Sequence, residues 1–375
     1  MNLKYLIQFL TTIFFLLLCF SEVLSCVFKE HFADLKSGRT FYTINQPNTN
    51  GKKIVLVHGL LGDSTQFYEW KCIFSCAGYQ VLTYDLLGHG NTEWKLSGFF
   101  SQERFVSHLN ELLMSIGWVD EESKATDKFS LLGVSMGGLI SLKYAITYPN
   151  NIKNLILMCP PGIMTKEDFP FLYKLSNSDF TSLIKNIHSS KRIFRCGLYC
   201  ASKVGIVKLN NRLSKPEKKE MVKNYHKSFS TYVKSGGDGS LFDRHLDFEE
   251  LSKYEDQFKI VFFWGIKDTT VPLAPAVEFL SQYFKKTPIV VYPFIEHIPM
   301  YPILSPALVS VDFLETNSKI GVPIGEVQNI NYFYDHEVNI IQGINYTYSG
   351  EEVSIQFDPE EYSEGYIDFN NTTFF

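Results

Sequence analysis

Ser135, Asp268 and His297 follow one another along this 375-residue chain in an order and setting that suit acyl transfer. A serine hydroxyl hardly ionises at neutral pH, so it attacks a carbonyl only when a base takes its proton. A histidine can be that base, a carboxylate fixes its tautomer, and backbone N–H groups receive the oxyanion. Ser135 lies in Gly133-Val134-Ser135-Met136-Gly137. Glycines two places to either side suit a sharp strand-to-helix turn, which crowds its neighbours while it lifts the serine off a sheet edge. The same five residues also describe an ordinary glycine turn, so their context has to decide. Asp268 follows the apolar run "FKIVFFWG", and His297 follows "TPIVVYPF". A lone loop aspartate is more commonly a cap, and a lone histidine more commonly structural. Here both fall just past consecutive predicted strands, downstream of the serine. Asp243 and Asp247 sit away from any strand end, and Glu296 is expected to project away from its neighbour His297.

The oxyanion donors expected from this layout are the backbone N–H groups of Met136, next to the serine, and Leu60, in "VHGLLGD". Gly59 and Gly62 would let that second stretch of backbone approach a substrate.

The elements that must hold these residues can be read from hydrophobic patterning. "KKIVLVHG", "YQVLTYD", "KFSLLGV", "NIKNLILMCPP", "FKIVFFWG" and "TPIVVYPF" are short apolar runs without alternation, as expected of strands buried on both faces. Residues 39–45 read as a further strand, hairpinned with 26–32. Helices are predicted over 64–77, closed by Gly78, through Phe105, Leu109, Leu112, Leu113 and Ile116, and from Met136 towards Pro149. Strands alternating with helices give an α/β fold with a mostly parallel central sheet flanked by helices.

The alternation stops near residue 162 and resumes near 257. Between them the pattern is helical, clearest in "SKPEKKEMVKNY", where Ser214 and Glu217 have capping-box spacing. The expected organisation is a leader over 1–25, a core over 26–161 and 248–317, a helical lid over 162–247, and an extension over 318–375, either an edge hairpin or disordered.

Ile13 to Phe20 are continuously apolar behind Lys4, and Val23-Leu24-Ser25 suits cleavage, so the leader reads as a secretory signal peptide; an uncleaved membrane anchor is the alternative. Either way the chain is expected to be secreted or lumenal. Sequons at Asn345, Asn370 and Asn371 agree with export. Loss of Cys19 with the leader would leave Cys26, Cys72, Cys76, Cys159, Cys196 and Cys200, expected to form disulfides or to stay as buried thiols. Two C-x-x-x-C pairs lack the spacing and the histidines of a zinc site. A net charge of −5 without a basic stripe argues against nucleic acid. The chemistry needs no cofactor or metal. The expected partner is a small ester or lipid, with membrane association through the leader or the lid.

Together "VHGLLGD", "YDLLGHGNT", "GVSMGG", "WGIKDTTVP" and "EHIPM" resemble the α/β-hydrolase superfamily over roughly residues 50–315. The resemblance implies an α/β-hydrolase fold with Ser135 as nucleophile, His297 as base and Asp268 as its orienter. It implies a structural role for Asp85, Gly88 and Gly90. Members with this pattern include esterases, monoacylglycerol lipases and serine aminopeptidases. Epoxide hydrolases and dehalogenases on this fold carry aspartate where Ser135 stands. The expected activity is carboxylic-ester hydrolysis through an acyl-enzyme, with an aminopeptidase or amidase, or a catalytically silent binding module, as alternatives.

Overall fold

The computed structural model describes residues 27–45, 52–93, 101–165, 228, 243–292, 295–297, 305–316 and 320–327, and the backbone of 343–348 and 351–356. The leader, nearly all of the lid, Cys26, Cys196, Cys200, Asn370 and Asn371 lie outside the described residues.

Six strands form the parallel heart of the molecule: β3 (Lys53–Val57), β4 (Gln80–Tyr84), β5 (Phe129–Val134), β6 (Ile152–Met158), β7 (Lys259–Gly265) and β8 (Pro288–Tyr292). Their lateral order is β4-β3-β5-β6-β7-β8, with every neighbouring pair parallel. Each corresponds to one of the unalternating apolar runs. Both faces are covered, so the strands show no regular alternation of apolar and polar positions. Leu131, Leu132, Leu155, Ile156, Val261 and Phe262 are wholly buried.

Among the described residues the α-helices are α1 (Tyr68–Cys76), α2 (Gln102–Ser115), α3 (Met136–Thr147), α4 (His245–Ser252), α5 (Leu273–Tyr283) and α6 (Ser305–Glu315). α1 is entered through a short 3₁₀ turn, Ser64–Phe67, so the predicted helix over 64–77 is two elements. Gly78 closes it in the left-handed region at φ 84°. Ser101 caps α2 by accepting the Arg104 N–H.

Antiparallel strands finish both sheet edges. β1 (Lys29–Leu35) and β2 (Gly38–Ile44) form a hairpin, and β2 pairs with β4. The first strand starts three residues later than the expected 26–32. Its two-residue turn, Lys36-Ser37, is fixed because Ser37 donates through both N–H and hydroxyl to Glu111 Oε2 on α2, each at 2.9 Å. At the far edge, β9 (Val322–Pro323) pairs with β8, and Ile324 and Val327 are buried beyond it. The start of the segment read as an extension therefore packs as core. β10 (Gly343–Tyr348) and β11 (Glu351–Gln356) pair with each other in a separate sheet. No described helix is long and apolar enough to cross a membrane, and the described residues contain no disulfide.

One buried histidine gives the fold a pH signature. Thr40 donates its hydroxyl to the Gly38 carbonyl (3.0 Å), so its oxygen receives the Nε2–H of His108 (2.8 Å). His108 Nδ1 then has no hydrogen-bond partner among the described residues. Burial, helped by Arg104 and His58, pushes the His108 pKa from 6.5 down to about 3. The folded state thus stays neutral where the unfolded chain takes up a proton. Stability from this group is complete above pH 6.5 and falls as pH drops from there towards 3, by about 1.4 kcal/mol per unit. Urea midpoints at pH 7 and pH 5 should therefore converge in His108→Gln relative to the parent. An unchanged pH dependence would remove His108 as the cause.

Candidate active site

The residues singled out for chemistry, and one cysteine that was not, sit on loops at the carboxyl ends of five laterally adjacent strands. Gly59 and Leu60 follow β3, Ser135 follows β5, Cys159 follows β6, Asp268 follows β7 and His297 follows β8. Crevices beyond the carboxyl ends of parallel strands are where open α/β sheets hold ligands.

Ser135 is the one residue from Phe129 to Leu142 that is not buried. Its backbone stands at φ 52°, ψ −123°, a strained conformation for a residue with a side chain. The strain is held by three main-chain bonds. Its N–H donates to Met158 (2.8 Å), and its carbonyl accepts from Gly138 (2.7 Å) and Leu139 (3.3 Å). Ser135 occupies the N-cap of α3, yet its hydroxyl makes no capping bond. A serine kept only as a cap would spend its oxygen on the helix N–H groups.

The glycines around it answer to backbone crowding. A Cβ on Gly133 would lie 2.2 Å from the Gly137 carbonyl oxygen, and one on Gly137 would lie 2.2 Å from the Val57 oxygen. α3 can therefore start hard against both β5 and β3. A Cβ on Gly59 would come 3.2 Å from Ser135 Cβ, so the loop after β3 passes directly beside the serine. Leu60 is next in that loop and partly exposed; Met136 is the buried first residue of α3. The first N–H groups of a helix have no acceptor within it, so that of Met136 is available to an outside oxygen.

His58 holds the loop after β3. Its Nε2 accepts the Leu86 N–H (3.0 Å), so Nδ1 carries the proton and donates to the Gly59 carbonyl (2.8 Å). Burial lowers its pKa, which favours this neutral form. Asp85 joins neighbouring turns, accepting from Ser64 N–H (2.8 Å) and Asn91 N–H (2.7 Å). Gly90, at φ 44°, leaves that carboxylate its space.

Asp268 is buried and its two oxygens are divided between two tasks. Oδ1 accepts the N–H groups of Thr270 and Val271, both at 2.8 Å. Oδ2 meets His297 Nδ1 at 2.7 Å. The pairing crosses from β7 to β8 because the two loops lie on one another. Lys267 N–H donates to Ile295 (3.1 Å), and a Cβ on Gly265 would fall 2.2 Å from the carbonyl oxygens of Ile295 and Glu296. Trp264 anchors the Asp268 loop from below through Nε1–H to Val271 (2.7 Å). Neither rival acid takes part: Asp247 accepts from Lys143 on α3 (2.7 Å), and Asp243 stands in a left-handed turn at φ 54°. The Glu296 side chain is exposed.

In the sequence Cys159 is only one cysteine among the six beyond the leader. It is wholly buried, at φ 43°, and its thiol lies with an Asp268 oxygen and a His297 nitrogen in a group whose atoms all fall within 4.8 Å. The signal available in sequence was its position immediately after β6, equivalent to that of Ser135 after β5.

The long insertion leaves and re-enters at one place. Arg244 N–H donates to Gly162 (2.7 Å) and Asp243 N–H to Met164 (3.1 Å), which brings the chain back just after β6.

Residues 52–299 match a family described as alpha/beta hydrolase fold. A proline iminopeptidase of Clostridioides difficile is 34% identical over 135 residues, covering 34% of this chain and 42% of that protein. Lipase 1 of Psychrobacter immobilis is 31% identical over 157 residues, covering 39% and 46%. The chain thus spans less than half the length of these two relatives. A membrane phospholipase A structure, described as a bacterial virulence factor, shares the fold at TM-score 0.60 and 16% identity, covering 84% of this chain and 97% of that one.

Proposed function

The chain belongs to the alpha/beta hydrolase fold family, and on that premise we propose that it is a serine hydrolase that cleaves carboxylic esters through an acyl-enzyme. The observation that carries this reading is the 2.7 Å contact between Asp268 Oδ2 and His297 Nδ1, on the same sheet edge as a strained serine whose hydroxyl caps nothing. In the proposed mechanism Asp268 holds the His297 proton on Nδ1, leaving Nε2 to accept the Ser135 proton as Oγ attacks the ester carbonyl. The N–H groups of Met136 and Leu60 receive the oxyanion. His297 returns the proton to the departing alcohol, and water releases the acyl group by the same steps. No cofactor enters these steps.

The resemblance to a lipase supports the ester reading, and that to a proline iminopeptidase supports an amide-cleaving alternative on the same residues. That alternative also needs a carboxylate, other than Asp268, to hold a substrate ammonium. A fluorophosphonate probe should add to the folded protein at Ser135, located by mass analysis of the labelled peptide. Equal labelling of Ser135→Ala, or none of the parent, would sink the mechanism. Hydrolysis of p-nitrophenyl acyl esters in preference to aminoacyl anilides is expected; the reverse preference selects the peptidase reading.

A further inference from the structure

We propose that Cys159, Asp268 and His297 form an inhibitory site for a thiophilic divalent cation, with zinc as the fitting ion. The three side chains come from three successive strand ends, and one atom from each lies within 4.8 Å of the others. They supply sulfur, oxygen and nitrogen, the donors that zinc takes in protein sites. Zinc–ligand bonds of about 2.0–2.3 Å on a tetrahedron put ligand atoms roughly 3.4–3.7 Å apart. The widest pair has to close by no more than about 1 Å to reach that spacing, while Nδ1 and Oδ2, at 2.7 Å, would have to part if both bind the ion. Three protein ligands leave a fourth position for water.

The surroundings suit a cation. Cys159 and Asp268 are buried, and a thiolate with a carboxylate balances a divalent charge out of water. The Thr270 and Val271 N–H groups hold Oδ1, which keeps Oδ2 aimed into the group. Such outer contacts orient ligands and raise metal affinity. On binding, the thiol gives its proton to solvent and the sulfur bonds as thiolate.

The ion and catalysis exclude each other. Two ligands of one tetrahedral zinc cannot remain at the 2.7 Å that separates His297 Nδ1 from Asp268 Oδ2. A cation on Nδ1 therefore replaces the orienting hydrogen bond. A cation on Nε2 instead occupies the lone pair that must accept the serine proton. Either mode disables the base.

The inhibition rests on the proposed ester hydrolysis; binding does not. With the full chain, micromolar zinc should inhibit ester turnover, magnesium should not, and EDTA should restore it. Cys159→Ser should keep basal turnover and need at least about tenfold more zinc; Cys159→Ala serves if the serine variant does not accumulate. Cobalt(II) reports binding without activity, through a near-ultraviolet thiolate band and the visible bands of a tetrahedral ion. Both should appear in the parent and in Ser135→Ala, and both should be lost in the Cys159 variants. If the parent hydrolyses esters and zinc leaves it untouched, or if the cobalt bands survive loss of Cys159, the site is refuted. If the cobalt bands behave as expected in a protein with no esterase activity, the metal site stands and the proposed function falls.

Discussion

Ser135→Ala is expected to lower ester turnover by about 10⁴- to 10⁶-fold while leaving the fold in place. The argument has a chemical half and a structural half. Without Oγ there is no acyl-enzyme, and what remains is the help that binding and the oxyanion donors give to water. Structurally, the lost hydroxyl makes no capping bond to α3. The strained φ of 52° is imposed by backbone bonds to Met158, Gly138 and Leu139, which alanine keeps. Stability should therefore change by no more than about 0.5 kcal/mol. Turnover by stopped assay and stability by urea titration separate the two halves. Turnover within tenfold of the parent would mean that another group attacks. A large loss of stability would mean that the serine is kept for the turn.

Asp268→Asn should reduce turnover by about 10⁴-fold, again with the fold retained. The amide has the shape of the carboxylate, and its oxygen can still accept from Thr270 and Val271. The nitrogen then faces His297 Nδ1, where the parent has an acceptor at 2.7 Å. An imidazole facing a donor must accept at Nδ1 and carry its proton on Nε2. That tautomer presents a hydrogen to Ser135 where a lone pair is needed. Because serine, histidine and aspartate act as one unit, the Ser135→Ala/Asp268→Asn double variant should be no slower than Ser135→Ala alone. Additive losses in the double variant, or a single loss below tenfold, would remove Asp268 from the mechanism. Asp247→Asn supplies the contrast: it weakens a contact with Lys143, away from His297, and should leave turnover within a few-fold.

The parallel strands were readable because burial on both faces writes the same unalternating signature each time. The turn after β5 was readable for a related reason, since Gly133 and Gly137 stand where a Cβ would strike backbone 2.2 Å away. Such close approaches leave the chain few other residues to use. The loops after β7 and β8 were readable only as the ends of their apolar runs. The hairpin start was misplaced because a contact 74 residues away, from Ser37 to Glu111, fixes its turn. Periodicity carries nothing of that kind.

By itself, then, the sequence determined the α/β alternation, the glycine-flanked serine and the order of serine, acid and histidine, since these follow from local pattern and chain order. It could not say that Asp268 meets His297, because β7 and β8 are separate strands and the meeting depends on one loop lying across Gly265. Nor could it tell the buried aspartate from Asp243 and Asp247 except by position. It gave Cys159 no distinction among the cysteines. Those outcomes belong to the tertiary structure, where the lateral order of β3, β5, β6, β7 and β8 gathers five distant loops at one edge. Loops as far apart along the chain as those of Gly59 and His297 come to one edge because parallel strands put all their carboxyl ends on the same side.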